Sequence, residues 1–270
     1  MKTLLIIFSC LFSLGSAAQI EKLKGTWITP SQDCIVIYDT TEDYRGSHMQ
    51  SSGSRNESFT LYLEGDTLSF QKRFYSSATN YERLYIDRYD LKLIMLSDSD
   101  MIVKPCSEKS QNFYCTDAEI KFKRQEFARD RTIHFEKIIF HTSSCFGDCP
   151  EIDLEIDSSK NIYLRGSYYE GHGATSREDR SGMFEGTLQD SLYTELILLL
   201  QTCNLRTLTF PQVIGFDGSV VTLIIYFDGQ RKYFKSMFPP TIASRLIDYL
   251  YSVHDRQLLP WAARLRKLEE

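Results

Sequence analysis

From Glu151 to Asp157 the chain alternates without a break: Glu, Ile, Asp, Leu, Glu, Ile, Asp. Successive side chains of a strand point to opposite faces, so this run fits a β-strand and not a helix. Ile152, Leu154 and Ile156 fall on one face, and Glu151, Asp153, Glu155 and Asp157 on the other. The rest of the chain must supply a core for the first face. With 42% hydrophobic and 25% charged residues among 270, it can do so, and disorder throughout is excluded. Aromatic residues at 13% lean the chain further toward strands. A formal charge of −5 and a pI near 5.6 argue against nucleic acid as a partner, because phosphate binding needs a basic field.

Residues 1–18 read as an export signal. Lys2 supplies the positive start, Leu4 to Leu14 the apolar run, and Ser16-Ala17-Ala18 the small residues before a cut after Ala18. The run is short for a hydrocarbon core of about 30 Å. Ile7-Phe8-Ser9 before Cys10 puts a bulky ring where a lipidation signal wants a small residue, so lipidation is not expected. No second apolar run of that kind follows. The expectation is an exported protein, periplasmic or secreted, with no transmembrane segment after signal cleavage.

Six cysteines remain beyond residue 18: Cys34, Cys106, Cys115, Cys145, Cys149 and Cys203. An even number in an oxidising compartment suggests disulfides. Cys106 and Cys115 flank a polar stretch between two strand-like runs, so a bridge closing a hairpin is expected there. Cys34 and Cys203 are left over, and a bridge between them would cross domains. Buried free thiols are the alternative throughout.

The two halves differ in pattern. We expect a β domain over 19–126, a polar linker through Arg124 to Arg131, an α+β domain over 131–255 and a tail over 256–270. In the first half, strands are expected over Leu23 to Trp27, Cys34 to Tyr38, Phe59 to Leu63, Thr67 to Tyr75, Arg83 to Tyr89, Lys92 to Leu96, Met101 to Lys104 and Ile120 to Arg124. Asp39 to Glu57 reads as one long polar loop. Many short strands with a turn about every ten residues suggest an antiparallel barrel or sandwich. Leu23-x-Gly25-x-Trp27, then Ile94-x-Leu96-Ser97-Asp98-x-Asp100-Met101-Ile102-Val103 and Ile120-x-Phe122-Lys123-Arg124 resemble the small bacterial lipocalin-like domains. That resemblance implies a barrel whose first strand carries a tryptophan plugging one end. Trp27 accordingly reads as a core aromatic rather than a ligand contact.

In the second half, strands are expected over Thr132 to His141, Glu151 to Asp157, Asn161 to Tyr169, Leu205 to Thr209, Ser219 to Phe227 and Lys232 to Met237. Leu188, Leu192, Leu196 and Leu199 recur at helical spacing, which predicts a helix over Leu188 to Thr202. Pro240 opens a second helix, and Pro260 can open a short one in the tail. Three strands and a helix twice over hints at internal symmetry. The fold class expected is α+β: an N-terminal antiparallel β-barrel-like domain, then an α+β domain of antiparallel strands with two main helices.

One motif stands out. Cys145-Phe146-Gly147-Asp148-Cys149-Pro150 resembles the opening signature, Cys-(Phe or Tyr)-Gly-x-Cys-Pro, of an uncharacterised bacterial domain family. The resemblance continues through Ile152-x-Leu154-x-Ile156, Gly166, Gly171, Gly173, Cys203, Asp217, Val220 to Tyr226 and Leu246 to Tyr251. In that family a hydrophobic-aromatic pair usually follows Cys-Pro, where this chain has Glu151-Ile152. The resemblance implies a domain identity and no activity. Read from the residues, the two cysteines allow a structural disulfide, a redox pair, half of a metal site, or free thiols. The export signal favours the disulfide, since the familiar redox pair has two intervening residues at a helix start and a metal needs two more ligands.

Searches for a nucleophile elbow, a zinc-protease helix, a phosphate loop and a calcium loop all fail. No catalytic residue, metal or cofactor is assigned. The Tyr168 to Arg180 stretch, with Tyr168, Tyr169 and His172, is the candidate exposed functional loop. Asp153, Glu155 and Asp157 read as the wet side of their strand. The expectation is a non-enzymatic envelope binding or interaction module, with a small apolar molecule in the first domain or a protein or glycan on the second. The alternative is an enzyme using Cys145 and Cys149 or the His172 loop in thiol-disulfide or hydrolytic chemistry. An enzyme should place His172 or His141 within hydrogen-bond reach of a carboxylate or thiol.

Overall fold

The computed structural model describes residues 21–38, 47–51, 57–171, 175–212, 215 and 217–269. Residues 1–18, where an export signal is expected, and His172 lie outside the described residues. The chain divides into two compact units, Met1–Ala128 and Arg129–Glu270.

The first unit is a closed antiparallel barrel of eight strands: β1 (Gly25–Ile28), β2 (Cys34–Ile37), β3 (Ser47–Gln50), β4 (Glu57–Glu64), β5 (Thr67–Tyr75), β6 (Leu84–Leu96), β7 (Asp100–Pro105) and β8 (Ile120–Arg124). Each strand pairs with its neighbours in sequence, and β1 pairs with β8 through Trp27 opposite Arg124, which leaves no open edge. Alternation turns Trp27, Ile35, Met49, Leu68, Phe70 and Phe122 inward, all of them buried. An eight-stranded barrel is narrow enough for side chains to fill. Trp27 donates its ring N–H to the Leu23 carbonyl at 2.7 Å, and the Arg124 guanidinium sits 4.6 Å from its ring centre.

Two expectations for this unit fail. Ser47–Gln50, placed in a long loop, is strand β3. Its polar letters hid it because Met49 is its one large apolar side chain, buried against Ile35. The stretch between Cys106 and Cys115 is a helix, α1 (Glu108–Tyr114), and the two cysteines are free thiols. Ser107 and Ser110 cap it reciprocally. A helix of that length spans about 10 Å, beyond the roughly 7 Å that a disulfide can bridge between Cα atoms.

The second unit holds an antiparallel sheet of six strands in the order β14-β11-β10-β9-β15-β16. These are β9 (Phe135–Thr142), β10 (Glu151–Asp157), β11 (Asn161–Ser167), β14 (Gly182–Thr187), β15 (Val221–Phe227) and β16 (Gln230–Ser236). A separate two-residue hairpin, β12 (Tyr169–Glu170) with β13 (Thr175–Ser176), leaves the sheet after β11. The apolar face of β10 joins Ile138, Phe140, Leu164, Leu223 and Ile225 in one buried layer. Helices α2 (Asp190–Thr202) and α3 (Ser244–Arg256) cover that layer: Tyr251 meets Phe140 edge-on at 5.1 Å, and Tyr249 donates to the Leu192 carbonyl at 2.9 Å.

Here too the sequence reading needs correction. Leu205 to Thr209 is a turn, with Asn204 at φ 53° and its carbonyl accepting from Leu208. β14 was missed, and with four strands of the sheet plus a hairpin before α2 but two before α3, the hint of internal symmetry fails. The tail is not a helix. Glu185 donates its N–H to the Pro260 carbonyl and Ala262 to that of Met183, so residues 260–262 lie extended beside β14 before the chain bends at Ala263 and Arg264. Pro260 therefore sits in a strand-like segment whose hydrogen bonds go sideways to a sheet edge.

Candidate functional site

The polar face of the six-stranded sheet carries the most organised group of ionisable side chains in the second unit. Register places Arg165, Asp153, His141 and Thr222 side by side on β11, β10, β9 and β15. Two residues along the strands, Tyr163 and Glu155 are neighbours, with Glu185 beyond them on β14. A further step brings Asp157, Lys137, Tyr226 and Arg231 into line. This is the face that strict alternation at Glu151–Asp157 predicts. It is not simply wet, because the C-terminal segment, after running along the β14 edge, crosses it from Arg266 to Glu269.

A series of contacts fixes that strap. Gln257 donates to the Thr187 carbonyl at 2.7 Å, and the Pro260 and Ala262 bonds follow along β14. Trp261 packs on Phe184 at 4.8 Å between ring centres and lies against Gly182. A side chain at 182 would press into the indole, coming within 2.7 Å of its Cη2, so only glycine leaves room for the ring. Farther on, the Arg266 N–H donates to Tyr163 Oη at 3.1 Å, while its guanidinium reaches Glu185 at 3.4 Å and covers the Tyr163 ring.

Glu269 completes the crossing. Its carboxylate accepts from Arg231 Nε at 2.7 Å and from the Tyr226 hydroxyl, and its main-chain oxygen lies 2.6 Å from His141 Nε2. The other ring nitrogen, His141 Nδ1, lies 2.7 Å from Asp153 Oδ1, and Arg165 pairs with Asp153 Oδ2. The His141 hydrogen bond first, and the Arg165 charge with it, hold the Asp153 carboxyl below its ordinary range against the opposing effect of burial. Glu269 is likewise held low, by the Tyr226 hydroxyl and then Arg231. Beside Arg266 lies a polar pocket of about 490 Å³ bordered also by Glu155, Asp157, Tyr163 and Glu185.

The residues singled out from sequence fall elsewhere. Cys145 and Cys149 are joined in a disulfide whose loop exposes Phe146 and is tied to the sheet by Thr142 Oγ1, which donates to the Pro150 carbonyl at 2.7 Å. Tyr168 is not exposed: 6% of its surface is accessible, its ring stacks on His254, and Arg180 covers it. Burial pushes its hydroxyl up to about 12. Tyr169 is half-buried, with its hydroxyl 3.4 Å from Glu151. Neither tyrosine joins the strap site. Among the described residues, no group of three or more His, Cys, Asp or Glu is arranged to hold a metal. The sequence reading missed Arg165, Tyr226, Arg231 and Glu269. Once β9 and β10 are paired, alternation places Asp153 beside His141, but the strap's path has no signature in the sequence.

The fold is a closed eight-stranded barrel followed by an antiparallel sheet with helices on one face and a C-terminal strap that runs along one edge and reaches the other face. Residues 136–249 match a family model described as a domain of unknown function, DUF6438. Neither a curated protein nor a solved structure matches the chain. Among the described residues, no helix is long and apolar enough to cross a membrane.

Proposed function

We propose that the chain is an exported, non-enzymatic interaction protein whose second unit holds extended polypeptide on the polar face of its sheet. The observation that carries this reading is the strap itself. Its main chain is read at four points, Pro260, Ala262, Arg266 and Glu269, by strand backbone and by the side chains Tyr163 and His141. Extended recognition of this kind takes affinity from main-chain hydrogen bonds and specificity from side-chain pockets. Export rests on Lys2, the Leu4 to Leu14 run and Ser16-Ala17-Ala18. The Cys-Phe-Gly-Asp-Cys-Pro signature and the lipocalin-like motifs around Gly25 and Trp27 belong to the same reading, with the barrel interior filled by side chains.

His141 beside Asp153 meets the geometric condition set above for an enzyme, since a carboxylate orients one ring nitrogen. The place a nucleophile would take, at Nε2, is held instead by the Glu269 carbonyl. That favours binding over catalysis. The test is a panel of ten-residue peptides titrated against the full chain carrying Trp261→Ala, which loosens the strap. Saturable micromolar binding that protects β9–β11 amides from exchange supports the reading; failure of every peptide contradicts it.

A further inference from the structure

We propose that His141, Tyr226 and Arg231, with Tyr163 and Glu185, form a sequence-reading site for an extended partner peptide of the form Arg-x-x-Glu, which Arg266 to Glu269 fill in cis. This rests on the chain-binding reading above and names the chemistry of what is bound.

Two sockets lie three residues apart along the strap. In the first, the Arg266 guanidinium lies over the Tyr163 ring at 5.4 Å and reaches Glu185 at 3.4 Å, while its N–H donates to Tyr163 Oη. A planar cation suits that place because it stacks and pairs at once. In the second, Arg231 and Tyr226 hold the Glu269 carboxylate, Lys137 adds positive charge beside Tyr226, and His141 meets the main-chain carbonyl of the same residue. Charged hydrogen bonds to a carboxylate are among the stronger ones. Each socket therefore reads a main-chain group and a side chain of the same residue. A free small carboxylate would satisfy only half of the second socket and none of the first, which points to a peptide.

The sockets are accessible to exchange. The Glu269 side chain is 37% exposed and Arg231 40%, and between Ala262 and Glu269 the strap is held by side chains rather than by a strand ladder. A partner segment with the same two residues can compete for them, with the strap acting as an internal competitor.

The test uses blocked peptides copying residues 262–269, titrated calorimetrically against the full chain carrying Glu269→Gln and, separately, against the unaltered chain. The parent peptide should bind the variant about tenfold more tightly than copies in which its arginine equivalent to 266, or its glutamate equivalent to 269, is replaced by glutamine. Binding to the unaltered chain should be weaker, because the strap occupies the sockets. Equal binding of parent and glutamine peptides would overturn the Arg-x-x-Glu assignment while leaving the chain-binding reading intact. No binding of any peptide would overturn both. Glu269→Gln is a change at a half-exposed residue, and an unchanged circular dichroism spectrum checks its fold. If light scattering finds a concentration-dependent dimer that Glu269→Gln dissociates, the occupant is the strap of a second copy, and the partner assignment falls.

Discussion

His141 Nδ1 lies 2.7 Å from Asp153 Oδ1, and Nε2 of the same ring lies 2.6 Å from the main-chain oxygen of Glu269. Both partners can only accept, so a ring with one N–H satisfies one of them and the imidazolium satisfies both. Asp153, Arg165, Glu269, Tyr226, Arg231 and Lys137 are among the charged and titratable groups around it. Asp153 and Glu269 are held low and stay ionised at mildly acidic pH. His141→Phe, which keeps a ring and removes both hydrogen bonds, should therefore loosen the strap at Glu269. Fluorescence anisotropy of a dye attached near Trp261 measures this, with faster dye motion expected in the variant.

Asp153 gives the face a pH signature. Its folded carboxyl is depressed, so its contribution is present above the unfolded value near 4 and is lost as pH falls through the folded one. Asp153→Asn should cost about 1–2 kcal/mol at neutral pH, because His141 and Arg165 lose a carboxylate partner. It should also flatten the acid limb of the stability curve. Thermal melts of both proteins from about pH 3 to 7 check it.

The part of this face that sequence revealed is the part set by local alternation. Ile152, Leu154 and Ile156 could be placed on the core side and Asp153 and Glu155 opposite them from period alone. The leucines of α2 and the strand-rich first half were legible for the same reason. β3 and α1 were not, since Ser47–Gln50 has few apolar letters and a seven-residue helix gives too short a pattern. The strap escaped because its structure is dictated by distant partners. Leu265 and Leu268 sit at helical spacing, yet hydrogen bonds to β14 and the space above Gly182 override that local preference.

Gly182 gives a sharp steric prediction. At φ 153°, with the indole of Trp261 against it, Gly182→Ala should displace the strap and cost about 1–3 kcal/mol. Combining it with Trp261→Ala should cost less than the two single changes together, because the smaller side chain relieves the clash. A double-mutant cycle by urea denaturation measures the coupling.

Thiol reactivity follows burial. Cys106 and Cys115 are exposed and should be alkylated in the native protein, whereas Cys34 and Cys203 are buried and should not. Burial pushes the Cys203 thiol up to about 12 and raises Cys34 as well, which suppresses the reactive thiolate. Peptide mass mapping without reductant should recover Cys145 linked to Cys149. Replacing both by serine should cost at most about 2 kcal/mol, since the closed loop is short.

The barrel should behave as a packed core. Leu68 and Phe70 are fully buried within it, so Phe70→Ala should cost about 3–5 kcal/mol. A fluorescent fatty-acid analogue titrated against the full chain should show no saturable low-micromolar binding; one-to-one binding would make ligand carriage the barrel's role.

The central claim is that the polar sheet face holds an extended chain, and amide hydrogen exchange at Ala262 and Arg266 tests it most directly. Their N–H groups donate to the Met183 carbonyl and to Tyr163 Oη. Resolved by NMR in the full chain, both should exchange more slowly than free-peptide rates, and Trp261→Ala with Glu269→Gln should release both together. Exchange of both amides at free-peptide rates in the unaltered protein would contradict the account.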